Sequence, residues 1–270
     1  MTVFQMPFYF VQEETLEDKK KKKWLSEHAH EHKRITPDFE PIPGWKPFAK
    51  YGSSSAEIIA NCVKKQDFSI LHVGDYFNET INGTTYWWTF TEFNHYGQNE
   101  ALMVPDRLIP GSYEFGTSNT YSGSNLESEL NKFYYAMPYF LRDYIIRMSL
   151  NWTGGGGSMV SLNEYVFPPS EIEAFGSAYY SSEGVYSYKK WACFTDANSR
   201  ARDGRTYWLR GAYSSDSRYV VDCDSYGNRS ADRAYMKLGI LPCFCIGGGG
   251  KMSKPTPPGP EPDPGDGDWI

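Results

Sequence analysis

Four groups of residues in this 270-residue chain have side chains and spacings that could carry chemistry. His28, Glu31 and His32 form His-x-x-Glu-His, the inverted zinc-protease pattern, which sets both histidines on one helical face. A zinc hydrolase also needs a third ligand and a dry, shaped cleft. The surrounding stretch is densely charged, so the expected reading is a charged helix surface with adventitious Zn or Ni affinity. His95 stands alone beside a strand end with no nucleophile to activate, and its expected role is structural hydrogen bonding. Cys243 and Cys245 lie two apart on a strand, on one face but too distant for an unstrained disulfide, with no further metal ligand nearby in sequence. The fourth group sits in polar loops: Tyr179, Tyr180, Tyr213, Arg218, Asp224, Tyr226, Asn228 and Arg229. Tyrosine faces stack on sugar rings, and Arg, Asp and Asn hydrogen-bond in pairs, a set suited to a glycan. Ordinary hydrophilic turn residues remain the competing reading.

Patterns for other chemistries are absent. No nucleophile elbow, Gly-x-Gly-x-x-Gly or Cys-x-x-Cys occurs, and the four glycines at 154–157 precede no Lys-Ser/Thr, which excludes a phosphate-binding P-loop. No carboxylate pair with glycosidase placement can be argued. The expectation is a non-enzyme with no catalytic residue, no metal and no cofactor.

Composition narrows the class further. Aromatic residues make up 17%, with 21 Tyr and 8 Trp, which favours a β-rich, loop-rich body over a helical bundle. The net charge of −6 and the acidic neighbours of the one dense basic run, Lys19 to Lys23, argue against nucleic acid as a partner. No stretch approaches the roughly 18 apolar residues of a membrane span, and Met1 to Phe10 lacks the basic start of a signal peptide. Five cysteines without a secretion signal are expected to be free buried thiols.

The elements that must position these residues divide the chain in three. Residues 1–50 read as an extended assembly arm: an apolar aromatic strip, a charged segment, then four prolines between Ile35 and Tyr51. Phe4, Phe8, Tyr9, Phe10, Trp24 and Trp45 are its candidate anchors. Residues 247–270 read as a Gly hinge and a proline-rich tail ending in two further candidate anchors, Trp269 and Ile270. Residues 51–246 form the body. Ser54 and Glu57 make a capping box for a short helix, and Phe68 to Val73 reads as a strand. A hairpin turns at Asn82-Gly83 between Tyr76–Thr80 and Thr84–Thr91. Helices are expected over Leu126–Tyr135 and Tyr139–Met148, and another after Ser170. Asn151–Ser158 reads as a loop, Ser187–Phe194 as a strand and Thr195–Arg205 as a loop. Tyr207–Gly211, Tyr219–Val221 and Leu238–Ile246 then read as a small meander, with Trp208 and Arg210 in the core. A buried guanidinium there demands an acidic or carbonyl partner.

The strand Tyr207-Trp208-Leu209-Arg210-Gly211 and the closing Gly239-Ile240-Leu241-Pro242-Cys243-Phe244-Cys245-Ile246 follow four other segments in order: His72–Phe77, Phe93–Pro105, Ser124–Ile145 and Val166–Gly176. Together they resemble an uncharacterised domain family common in bacteriophages of Gram-positive bacteria, over roughly residues 54 to 246. That resemblance implies an α+β, C-type-lectin-like fold, shared with formylglycine-generating enzymes, of short helices packed on small antiparallel sheets. It brings no assigned activity. The paired copper-binding cysteines of those enzymes have no equivalent here, and neither do the Glu-Pro-Asn and Trp-Asn-Asp ligands of calcium-dependent lectins. The resulting expectation is a virion protein, assembled in the bacterial host cytoplasm, that serves as a head or tail fibre or decoration. The arm would dock on other virion proteins and the domain would meet a host-surface glycan. A purely structural decoration is the alternative, and homo-oligomerisation stays open.

Overall fold

A computed structural model describes residues 55–68, 71–153, 159–183 and 189–248, all within the unit Glu40–Ile270. The arm at 1–50 and its anchors, His28, Glu31 and His32, the tail at 249–270 and the glycines at 154–157 lie outside the described residues.

The chain is α+β, with mostly antiparallel sheets and few short helices. Helix α1 (Ser55–Lys65) buries Ile58, Ile59, Cys62 and Val63, the stripe that its helical spacing predicts. Strands β1 (Tyr76–Ile81) and β2 (Thr84–Phe93) form the expected hairpin. Asn82 and Gly83 turn it at φ 49° and 77°, the two positive values a type I′ turn needs. With β3 (Glu100–Pro105), β7 (Val166–Phe167) and β12 (Cys243–Gly247) they make a five-stranded sheet in the order β1-β2-β3-β12-β7. The helix α2 (Asn125–Ala136), capped by Ser124, brings Phe133 onto Trp88, which also packs against Phe244 at 4.5 Å between ring centroids.

A second sheet has the order β10-β9-β8-β11-β4, formed by β4 (Tyr113–Glu114), β8 (Tyr207–Ala212), β9 (Tyr219–Cys223), β10 (Arg229–Arg233) and β11 (Lys237–Ile240). Strands β5 (Met148–Thr153) and β6 (Met159–Glu164) pair separately. The one-turn helices α3 (Tyr139–Arg142), α4 (Glu171–Phe175) and α5 (Ala197–Arg200) complete the described elements.

Several expectations need correction. The closing segment is two strands, not one. Leu241-Pro242 breaks it, β11 lies parallel to β8, and β12 crosses to the first sheet, so the three-strand meander is β8-β9-β10 instead. The helix expected to run from Tyr139 to Met148 stops at Arg142. There the backbone is captured by β12: Ile146 donates to the Cys245 carbonyl, and Gly247 donates to that of Tyr144. Phe68 and Leu71 to Val73 are not a strand, because His72 and Asp75 close a tight turn on each other. The described part of 187–194 is a turn, with Phe194 donating back to Trp191. Asn151 to Thr153 extend β5 rather than opening a loop, and the loop expected over Thr195–Arg205 contains α5, capped by Asp196. Among the described residues no helix is long and apolar enough to cross a membrane.

Candidate functional site

The loop tyrosines meet along the second sheet. Ring centroids of Tyr179 and Tyr180 lie 4.9 Å apart, those of Tyr180 and Tyr213 5.4 Å, and those of Tyr213 and Tyr219 5.9 Å. Across β9 and β10, Tyr219 is in register with Arg233. The Arg233 guanidinium lies 5.8 Å from the Tyr219 ring and 5.9 Å from that of Tyr235. Its Nε donates to the Tyr219 hydroxyl at 3.2 Å and its Nη1 to the Tyr235 hydroxyl at 3.0 Å. Tyr179 and Tyr235 are exposed, and the three between them are half-buried.

Two buried side chains fix the backbone beneath this row. Glu171, 0% exposed in the first turn of α4, accepts the backbone N–H groups of Tyr179 and Tyr180 at one oxygen. Its other oxygen accepts the Ser181 N–H and hydroxyl, at 2.7 and 2.6 Å. Asn119, 2% exposed, donates from Nδ2 to the carbonyls of Tyr213 and Asp216, while its backbone donates to that of Ser217. Ser214 closes the seam by donating to the Tyr180 carbonyl. Loop positions that would otherwise wander are therefore tied to buried side chains.

Below lies a fully buried ion pair. Arg210 meets Glu173 in a fork, with both N–H···O distances 2.6 Å, and also donates to the Pro168 carbonyl. Glu173 in turn accepts the Ser170 N–H, which completes a capping box on α4. Burial, reinforced by the charge of Glu173, lifts the Tyr96 phenol well above the ordinary range. Burial likewise raises Glu183 to about 7, although Arg210 pulls the other way. Trp208 is 0% exposed and donates from Nε1 to the Tyr113 carbonyl.

Of the residues singled out from sequence, Tyr179, Tyr180 and Tyr213 join the row. Arg218 sits in the adjoining turn, forked against Asp216. Arg229 is a strut rather than a ligand group. Its Nε lies 3.0 Å from Glu171, its Nη2 donates to Ser177, and its cation covers the Phe175 and Tyr179 rings. Asp224 and Asn228 are spent closing the β9–β10 turn, where Asp224 accepts the N–H groups of Tyr226 and Asn228. Tyr226 stands exposed on that turn, with no ring contact to the row among the described residues. The His95 side chain is buried, with Nδ1 2.9 Å from Glu92 and its ring edge-on to Tyr96 and Trp191. All five cysteines are free thiols. Among the described residues no group of three His, Cys, Asp or Glu is placed to hold a metal ion.

Arg233 closes the stretch Asp222 to Arg233 that the sequence marks as a candidate ligand surface, whereas Glu171, Asn119, Tyr219 and Tyr235 were missed. Tyr219 and Arg233 face each other across β9 and β10, with Tyr235 in the turn after β10, an arrangement that becomes readable only once the β9–β10 register is known. Glu171 and Asn119 gave no signal, since nothing in their neighbourhood marks a carboxylate or amide that reaches loops eight to 97 residues away.

Residues 99–248, more than half of the chain, match the family described as Domain of unknown function (DUF6273). The chain belongs to the DUF6273 family. The DUF6273 segment contains the whole second sheet, α4 and every residue of the tyrosine row. Searches of curated proteins and of solved structures found no match.

Proposed function

We propose that this chain is a bacteriophage virion protein, a head or tail fibre or decoration, whose C-type-lectin-like domain binds carbohydrate on the host surface. Its small antiparallel sheets, short helices and long ordered loops are compatible with that fold. The observation that carries the binding reading is the tyrosine row held from beneath by Glu171 and Asn119. A ligand that docks on loops already fixed avoids most of the ordering cost of binding. Tyrosine supplies a stacking face and a polar tip at a low cost in side-chain entropy. The N-terminal arm would anchor the protein to other virion proteins during assembly in the host cytoplasm.

The test is a glycan array run beside intact host cell wall, with full-length protein and with Tyr179→Ala and Tyr213→Ala. The expected result is binding that both substitutions weaken at unchanged melting temperature. Absence of binding to any glycan or wall fraction would overturn the reading. The structural alternative draws on a different surface: Tyr135, Tyr139 and Phe140 are exposed beside Arg142, an aromatic patch suited to packing against a virion neighbour. Under that alternative, substitutions there would reduce incorporation into particles and the tyrosine row would be silent.

A further inference from the structure

The tyrosine row carries three guanidinium groups and balances them unequally. Arg229 is neutralised by Glu171 at 3.0 Å, and Arg218 by the fork with Asp216, its side chain 71% exposed. Among the described residues Arg233 contacts only phenols. Its charge reaches that same Asp216, whose acidity both arginines increase. Asp232, the neighbour of Arg233 in β10, acts on the opposite face, where it raises the pKa of buried Asp222. One carboxylate thus serves two guanidinium groups, and the outer end of the row is left with a net positive charge.

We propose that Arg233, held between Tyr219 and Tyr235, is an anion-recognition point, so that the glycan bound by the row carries a carboxylate or a phosphate beside the stacked sugar. This rests on the reading of the row as a glycan surface. The two phenols take up Nε and one N–H of Nη1, so the Nη2 edge and the second Nη1 N–H still have donors to offer. A guanidinium is weakly hydrated and planar, and matches carboxylate and phosphate oxygens in pairs. Two aromatic flanks hold that plane in place before a ligand arrives, while Tyr213 and Tyr219 offer ring faces a few ångströms along the row. A neutral sugar would leave the charge uncompensated.

The experiment measures binding of the full chain to three immobilised polysaccharides of matched length: a neutral glycan, a uronic-acid glycan and a glycan with phosphodiester links. Wild type is compared with Arg233→Gln, Arg233→Lys and Asp216→Asn. The expected result is at least about a tenfold preference for one anionic glycan over the neutral one, about 1.4 kcal/mol. Arg233→Gln should erase it, Arg233→Lys should retain part of it, and Asp216→Asn should increase it. The preference should also shrink as salt rises from low to physiological strength. The better of the two anionic glycans identifies the source of the anion. Equal binding to all three glycans, with Arg233→Gln silent, would overturn this inference and leave the glycan surface standing. No binding to any of them or to host wall would overturn both.

Discussion

Asp222→Asn should stabilise the protein at neutral pH and do little in acid. Asp222 lies in β9 with 0% exposure, in register with Trp208 on one side and Ser230 on the other. Burial, reinforced by Asp232 and Asp224, raises its carboxyl from 3.8 to about 8, an increase that neighbouring Ser230 offsets only in part. The folded chain therefore keeps this proton at pH 7, whereas the unfolded chain releases it near pH 4. The sign follows directly: between those two values the folded state binds more protons, so stability falls as pH rises, starting at the unfolded pKa and levelling off above pH 8. At one pKa unit per 1.36 kcal/mol, the cost relative to a neutral side chain is up to about 4 kcal/mol at pH 7 and about 1 kcal/mol at pH 4.5. For a folded body of this size each kcal/mol is worth about 2–4 °C, so the variant should melt roughly 8–16 °C higher at pH 7. Thermal unfolding of both proteins at pH 4.5 and pH 7, followed by circular dichroism, reads the difference. A gain equal at both pH values, or a loss at either, would refute the reasoning. Glu164, raised to about 7 by burial and by its neighbour Glu127, and Glu183 have the same sign, so the wild-type chain should itself be more stable at pH 5 than at pH 8.

Glu171→Ala removes the acceptor for three backbone N–H groups and the partner of Arg229, and should cost about 3–5 kcal/mol because it leaves a partly buried charge and orphaned donors. Glycan binding should fall further than in the single tyrosine variants, read on the same array. Gly227→Ala should unfold or severely destabilise the chain, since φ is +83° and a Cβ would collide with the Ala197 carbonyl; a melting temperature within a few degrees of wild type would contradict the packing of the β9–β10 turn on α5. Titration under denaturing, non-reducing conditions should find five thiols per chain, and three or fewer would mean that a disulfide forms.

What could be read from sequence was whatever is encoded locally. Asn82-Gly83 specifies its turn, Ser170 caps the helix that begins just after it, and Trp208 and Arg210 sit in a strand too apolar to face water. The failures occurred where a distant partner decides. Residues 143–147 have helical spacing, but an unsatisfied edge of β12 takes their backbone, and tertiary hydrogen bonds outweigh local preference. Arg229 and Asp224 looked like ligand groups because their types suit the task. Only the fold shows that Glu171 and the β9–β10 turn had already claimed them.

The division of labour around Glu171 has a consequence for how this surface can change. The carboxylate holds residues 179–181 by their backbone N–H groups, and of their side chains it engages only the Ser181 hydroxyl. Asn119 likewise grips residues 213–217 through their carbonyl groups alone. The identities at 179, 180 and 213 are thus free to vary while the loop path stays the same. Such a surface can exchange one recognition chemistry for another by point substitution without refolding, and those positions are the ones to randomise in a library that seeks new binding specificities on an unchanged frame.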